Sequence, residues 1–256
     1  MGTDSPLLLA SRSAPQAARS APFLRATARR GGLSGSTGIS GYTARIIDVD
    51  VLGDAYRLRV LTDHQQFADP DGDAERAGIS SAQWPLFGQL WPAGQRLAEA
   101  VRELDVAGKR VLELGCGIGL ASLVLQRRGA DVLATDLHPL AETFLAYNAA
   151  LNGLPALHYR RLGWTSARPS LGRFDLIIAG DVLYERGQAE VVAQVIADYA
   201  AEDADVIVTD AGRGYAAKLG KALSGHGFLP MAATAGDASR LGPVATLRYQ
   251  RLRCAA

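Results

Sequence analysis

Cysteine is nearly absent from the chain: Cys116 and Cys254 are the only two in 256 residues. Two cysteines so placed make no disulfide framework and no paired-cysteine zinc spacing, so no metal site is expected; their scarcity favours a reducing compartment. Long apolar runs are missing too. None approaches the roughly 18 residues of a membrane span, so no membrane partner is expected. Charge of one sign is also lacking: 27 Lys and Arg against 26 Asp and Glu leave a net +1. No global field therefore points to nucleic acid or to a lipid surface. What the chain does have is apolar residues, 48% of the total. That is enough for the core of one large domain with appendages, or of two small domains.

The composition changes along the chain. Residues 1–40 are rich in Ser, Ala, Arg and Gly, and no acid occurs between Asp4 and Asp48. Such a segment reads as a tail with too little apolar surface to offset its ordering entropy. An organelle transit peptide shares the composition, so a cytoplasmic protein is expected, with the mitochondrial matrix as the alternative. Residues 41–79 read as an accessory β-hairpin and loop. Ile47, Val49 and Val51 alternate, as do Tyr56, Leu58 and Val60, around a Gly53-Asp54 turn. The following stretch, Asp69 to Gly78, has the acids of a calcium loop without its spacing and reads as a solvated loop.

Residues 80–256 read as one α/β domain. Strand patterns fall at 110–114, 131–135, 157–161, 174–179 and 206–209, and helical patterns near 120–128, 140–151, 188–200 and 215–224. A hairpin-like pair, 228–231 and 244–252, closes the chain. This alternation predicts a doubly wound, mostly parallel sheet with an antiparallel edge, seven strands in all.

The chemistry-bearing stretch is VLELGCGIGLAS, Val111 to Ser122. Glycines after a buried strand let a ligand lie against the main chain, and the next helix offers free N–H groups. A dinucleotide fingerprint needs Gly-x-Gly-x-x-Gly. Here the third glycine, Gly119, comes one place early and Leu120 stands where it should be. Glu113 at the strand's end repels a pyrophosphate. It suits a ligand with a cationic amino group and no phosphate, such as S-adenosylmethionine. Asp136, at the end of the second strand, can accept hydrogen bonds from two ribose hydroxyls, or can cap the helix after it. His138 reads as a loop residue.

Five segments then come in a familiar order: QLWPAG (89–94), VLELGCGIGL (111–120), ATDLHPLA (134–141), FDLIIAGDVLYE (174–185) and TDAGR (209–213). Over roughly residues 80–230 the chain resembles class I S-adenosylmethionine-dependent methyltransferases. Within them it is similar to family 16 protein-lysine methyltransferases, above all to the lysine methyltransferases of the electron-transfer flavoprotein β subunit and their bacterial relatives. The resemblance implies a Rossmann-like sheet and S-adenosylmethionine as cofactor. It implies Glu113, Gly115, Cys116 and Gly117 around the methionine part, Asp136 on the ribose, and Trp164 and Trp91 against the cofactor, with Asp181 also reaching it. Asp181 and Tyr184 match the family's Asp-x-x-Tyr motif and take the catalytic roles. One departure is Gly163, where relatives often carry an acid that reads the adenine amino group.

Methyl transfer from a sulfonium is an in-line displacement that needs a neutral nucleophile about 3–3.5 Å from the methyl carbon. A free lysine amine has a pKa near 10.4 and is mostly protonated at neutral pH. A carboxylate at the mouth attracts it but also raises that pKa. Asp181 is therefore expected to capture and orient, and Tyr184 to line the channel with its ring face. Arg213 reads as a structural ion pair, bracing Asp210 or reaching an acidic partner. The expected partner is a protein with an accessible lysine, the expected state a monomer. The alternatives are a small-molecule amine N-methyltransferase and a non-catalytic cofactor-binding protein.

Overall fold

The computed structural model describes residues 41–233 and 244–252; the N-terminal 40 residues and Cys254 lie outside them. Strands β1 (Ala44–Val51) and β2 (Asp54–Leu61) form the expected antiparallel hairpin. The turn is one residue earlier than the sequence suggested. Leu52 and Gly53 have φ of 52° and 91°, and Asp54 already pairs with Val51. A two-residue hairpin turn needs left-handed backbone at both positions to match strand twist. The Asp50 side chain accepts from Gly53 N at 3.0 Å and closes it.

The hairpin does not stand apart from the main domain. Tyr56, Leu58 and Leu61 are fully buried, in one core with Leu97, Leu123 and Phe144. The free edge of β2 is satisfied by two asparagines one helical turn apart. Asn148 Oδ1 accepts from Arg59 N at 2.6 Å, and Asn152 Oδ1 accepts from Arg57 N at 2.9 Å. Asn152 Nδ2 returns a bond to Arg57 O at 2.7 Å. Buried main-chain groups need such partners, and here a helix supplies what a third strand would.

The acidic stretch read as a solvated loop contains a one-turn helix, α1 (Asp73–Arg76). The Asp69 carboxylate accepts from Ala74 N and Glu75 N at 3.0 and 2.8 Å, satisfying amides that a helix start leaves orphaned. A second helix, α2 (Pro92–Arg102), was also missed. Its signal was there, with Pro92 in the first turn and Ala93, Leu97, Ala100 and Val101 on one buried face.

The rest follows the expected alternation: β3 (Arg110–Leu114), α3 (Leu120–Arg127), β4 (Asp131–Asp136), α4 (Ala141–Leu151), β5 (His158–Arg161), β6 (Phe174–Gly180), α5 (Gln188–Tyr199), β7 (Ala200–Asp210), α6 (Ala216–Gly225), β8 (Phe228–Pro230) and β9 (Ala245–Arg251). The seven-stranded sheet runs β5-β4-β3-β6-β7-β9-β8, with β9 antiparallel to both neighbours. Strand β7 is longer than its apolar run: it starts at Ala200, which pairs with Phe174, and the register with β6 slips before Asp205 pairs with Leu176. Chain order reverses between β3 and β6. Open α/β sheets bind ligands at that point, outside the carboxyl ends of the strands.

Candidate active site

The carboxyl ends of β3, β4 and β6 open into a cleft of about 560 Å³. Every residue expected at the site lines it, from Trp91 and the glycine turn to Asp136, Trp164, Asp181 and Tyr184.

At the glycine turn, Gly117 has φ 53°, and a Cβ there would lie 2.8 Å from the Phe87 carbonyl oxygen. Gly119 has φ 83°, and a Cβ would lie 2.2 Å from Leu145 Cδ1. The early third glycine therefore lets α3 start against α4, while the second keeps the turn under the Phe87 segment. Asp136 clamps the turn: its Oδ2 accepts from Gly117 N and its Oδ1 from His138 N, both at 2.8 Å. It is not a helix cap, since α4 begins five residues later, after Leu140. Burial raises its pKa, and the amide bonds oppose the rise.

Glu113 is 4% exposed. Its Oε2 accepts from Ser122 N at 3.0 Å and from the Ser122 hydroxyl. Burial pushes its pKa up to about 7, against the lowering effect of those bonds. The Cys116 thiol is pushed well up by burial and by the Asp136 and Glu113 charges, so it stays protonated and is no nucleophile. Trp164 is half-buried beside the turn, its Cζ2 3.4 Å from where a Gly115 Cβ would lie. Trp91 precedes α2 and donates Nε1–H to Leu86 O at 2.9 Å. At Gly163, the departure from the resembled pattern, a Cβ would lie 2.8 Å from Ser166 Oγ.

Two polar lining residues, His138 and Gln89, were given no site role by the sequence reading. His138 is 4% exposed and stacks on Phe87, with ring centroids 3.7 Å apart. Its Nδ1 accepts from Leu140 N at 3.2 Å, so the proton is on Nε2. Burial lowers its pKa to about 4, and the ring is neutral. Among the described residues, His138 Nε2 and Gln89 Nε2 are buried without a partner. Nothing local marks these donors, because their burial comes from segments far away in the chain. A main-chain cradle, carboxylates on one wall and orphaned donors suit a ligand bearing an ammonium, hydroxyls and acceptor atoms.

The other end of the cleft is built on Asp181. Its φ is 57°, a left-handed conformation that Asp tolerates better than most residues, and its N–H donates to Thr209 O at 2.9 Å. The Asp181 carboxylate receives the Arg213 guanidinium on both oxygens: Nη1 on Oδ1, and Nη2 on Oδ2 at 3.2 Å. This corrects the expected partner of Arg213, which was Asp210 or another protein. Asp210 instead accepts from Gly212 N at 3.0 Å. Tyr184 is 38% exposed. Its N–H and that of Glu185 both donate to Gln188 Oε1, at 2.9 and 2.8 Å. Burial raises its phenol pKa, so the hydroxyl stays protonated. Across the mouth, Gln83 Nε2 donates to Glu185 Oε1 at 2.5 Å.

A family profile described as lysine methyltransferase matches residues 83–218. The chain is 33% identical over 137 residues to the electron transfer flavoprotein β subunit lysine methyltransferase of Rattus norvegicus, covering 52% of this chain and 51% of that protein. To its counterpart in Mus musculus it is 32% identical over 164 residues, covering 61% and 60%. The chain thus spans about half to three-fifths of the length of these curated relatives. Among solved structures, a ribosomal protein L11 methylase from Lactobacillus delbrueckii matches with a TM-score of 0.50 and 26% identity, over 63% of this chain and 79% of that one. A 16S rRNA methyltransferase from T. thermophilus, solved with AdoMet and guanosine, matches with a TM-score of 0.54 at 21% identity, over 81% and 50%, a likeness of fold.

Proposed function

Since the chain belongs to the lysine methyltransferase family, we propose that it transfers methyl groups from S-adenosylmethionine to a lysine side chain of a protein. The observation that carries this reading is the meeting of two ends in one cleft. The glycine turn and its carboxylates lie at one end, and Asp181 with Tyr184 at the other.

S-adenosylmethionine, when bound, supplies a methyl carbon on a sulfonium, whose C–S bond gives its electron pair to sulfur as the acceptor nitrogen forms the N–C bond. Glu113 and the Gly115–Gly117 main chain would hold its methionine part, Asp136 its ribose, and Trp91 and Trp164 its flat and apolar surfaces. Cys116 packs beneath as a protonated thiol. Asp181 would orient the acceptor nitrogen through an N–H, and the Tyr184 ring would wall the lysine's approach. The cleft walls exclude water from the nitrogen, which disfavours its charged form. The proton the nitrogen sheds leaves through the open mouth. A reducing compartment as the site of action, the cytoplasm or alternatively the mitochondrial matrix, is part of this proposal and rests on the scarcity of cysteine.

The test is to incubate the full chain and S-adenosylmethionine with recombinant electron transfer flavoprotein β subunit and, in parallel, with a cell lysate. Mass spectrometry should find lysines heavier by one or more methylene units. Label from a radioactive methyl donor confined to small molecules would instead identify a free amine as acceptor. Tight cofactor binding with no labelled product would leave only a binding protein.

A further inference from the structure

Asp181 creates a chemical conflict for lysine transfer. A bare carboxylate holds an incoming lysine as the ammonium and raises its pKa, yet only the free amine has the lone pair that attacks carbon. The structure sets a fixed cation against that carboxylate. Arg213 reaches Asp181 from the turn after β7, 32 residues away, and engages both its oxygens. The Asp181 side chain is 6% exposed, that of Arg213 36%, and both line the cleft. A guanidinium does not lose its proton in proteins, so the compensation holds at every working pH.

We propose that Arg213 is a positioning residue that makes the acceptor site select the neutral amine. The two-pronged bond uses one acceptor position on each carboxylate oxygen. About two per oxygen exist, so Asp181 can still accept an amine N–H. Asp181 then orients the nitrogen without stabilising its charge. The other groups facing the pair do not replace this cation. Asp210, at the end of β7, also lies in the field of Arg213, and its Oδ1 is buried without a partner. The Tyr184 phenol is protonated. Glu185 and Arg186 are exposed beside each other at the mouth, and Glu113 and Asp136 belong to the glycine-turn end. Without Arg213, Asp181 and Asp210 would face the acceptor uncompensated.

This inference rests on the lysine-transfer reading, and its test separates the two. Arg213→Gln and Arg213→Lys in the full chain are assayed for kcat against pH, with electron transfer flavoprotein β subunit as acceptor. Binding of S-adenosylhomocysteine is measured in parallel by calorimetry. Both variants should bind S-adenosylhomocysteine within about twofold of wild type. In Arg213→Gln the acid limb of kcat should move to higher pH by about one unit, lowering turnover near neutrality about tenfold and restoring it in alkali. Arg213→Lys keeps the charge and should leave the limb in place. A fall of equal size at every pH, with the limb unmoved, would reduce Arg213 to a structural brace and overturn the proposal while the lysine reading stands. So would an Arg213→Lys limb shifted as far as that of Arg213→Gln. A wild-type chain that binds S-adenosylhomocysteine but methylates no protein lysine would overturn both.

Discussion

The two ends of the cleft satisfy buried carboxylates in different ways. At the glycine turn the partners are neutral. Glu113 is held by the amide and hydroxyl of Ser122, nine residues on, and Asp136 by the amides of Gly117 and His138. At the acceptor end Asp181 is held by a full charge brought from 32 residues away. Amide and hydroxyl donors bring no compensating charge, so a cationic ligand group there can draw these carboxylates into their charged form. A guanidinium cancels the carboxylate's charge, which suits a wall that must touch an amine without charging it. The same side-chain chemistry is thus set to opposite electrostatic purposes by the partner each carboxylate is given.

The sharpest way to break this comparison is at Asp181. Asp181→Ala should lower kcat by about 10²–10³-fold, the scale of losing one oriented polar contact at a reacting centre, while calorimetry still finds S-adenosylhomocysteine bound. Wild-type turnover in this variant would remove Asp181 from the mechanism.

The next effect belongs to the opposite end. Gly117→Ala places a methyl against the Phe87 carbonyl in a left-handed backbone. It should cost about 1–3 kcal/mol of stability, read by chemical denaturation, and weaken S-adenosylhomocysteine binding. Here binding should fail along with turnover, the reverse of the Asp181 result.

The smallest effect is a slope. Folded Glu113 keeps its proton to about pH 7, whereas in the unfolded chain it is released near its ordinary value of 4.5. Between those two values the folded state binds the extra proton, so stability contributed here is present at low pH and lost as pH rises through about 7. The shift sets a scale of roughly 1–3 kcal/mol. Denaturation at about pH 5 and pH 8 should show wild type losing more stability over that interval than Glu113→Gln, whose amide does not titrate. Equal slopes would mean that Glu113 ionises freely despite its burial. A ligand ammonium beside Glu113 would favour its charged form, so S-adenosylhomocysteine should bind wild type more tightly as pH rises from about 6 to 8.

Much of the sheet was legible because its strands are short apolar runs between helices with clear periods, and β3 was placed to the residue. The helix α2 and the full length of β7 were not. In each, the tertiary structure overrides a weak local pattern: α2 carries Arg96 and Glu99 inside the protein as a pair, and β7 begins at Ala200, whose pairing with Phe174 is separated by a register slip from the regular run that starts at Asp205. The hairpin turn was misplaced by one residue because Leu52 gives no sign that it will adopt a positive φ.

By itself the sequence determined the glycine turn, its acidic neighbours and the Asp-x-x-Tyr segment, because these depend on backbone angles and side chains set within a few residues of one another. Only the tertiary structure decided what each carboxylate would face. Arg213 reaches Asp181 because β6 and β7 lie side by side and end at the same height, and His138 and Gln89 lose their partners because other segments bury them. Electrostatics in a cleft depends on distances through space, and spacing along the chain does not carry them.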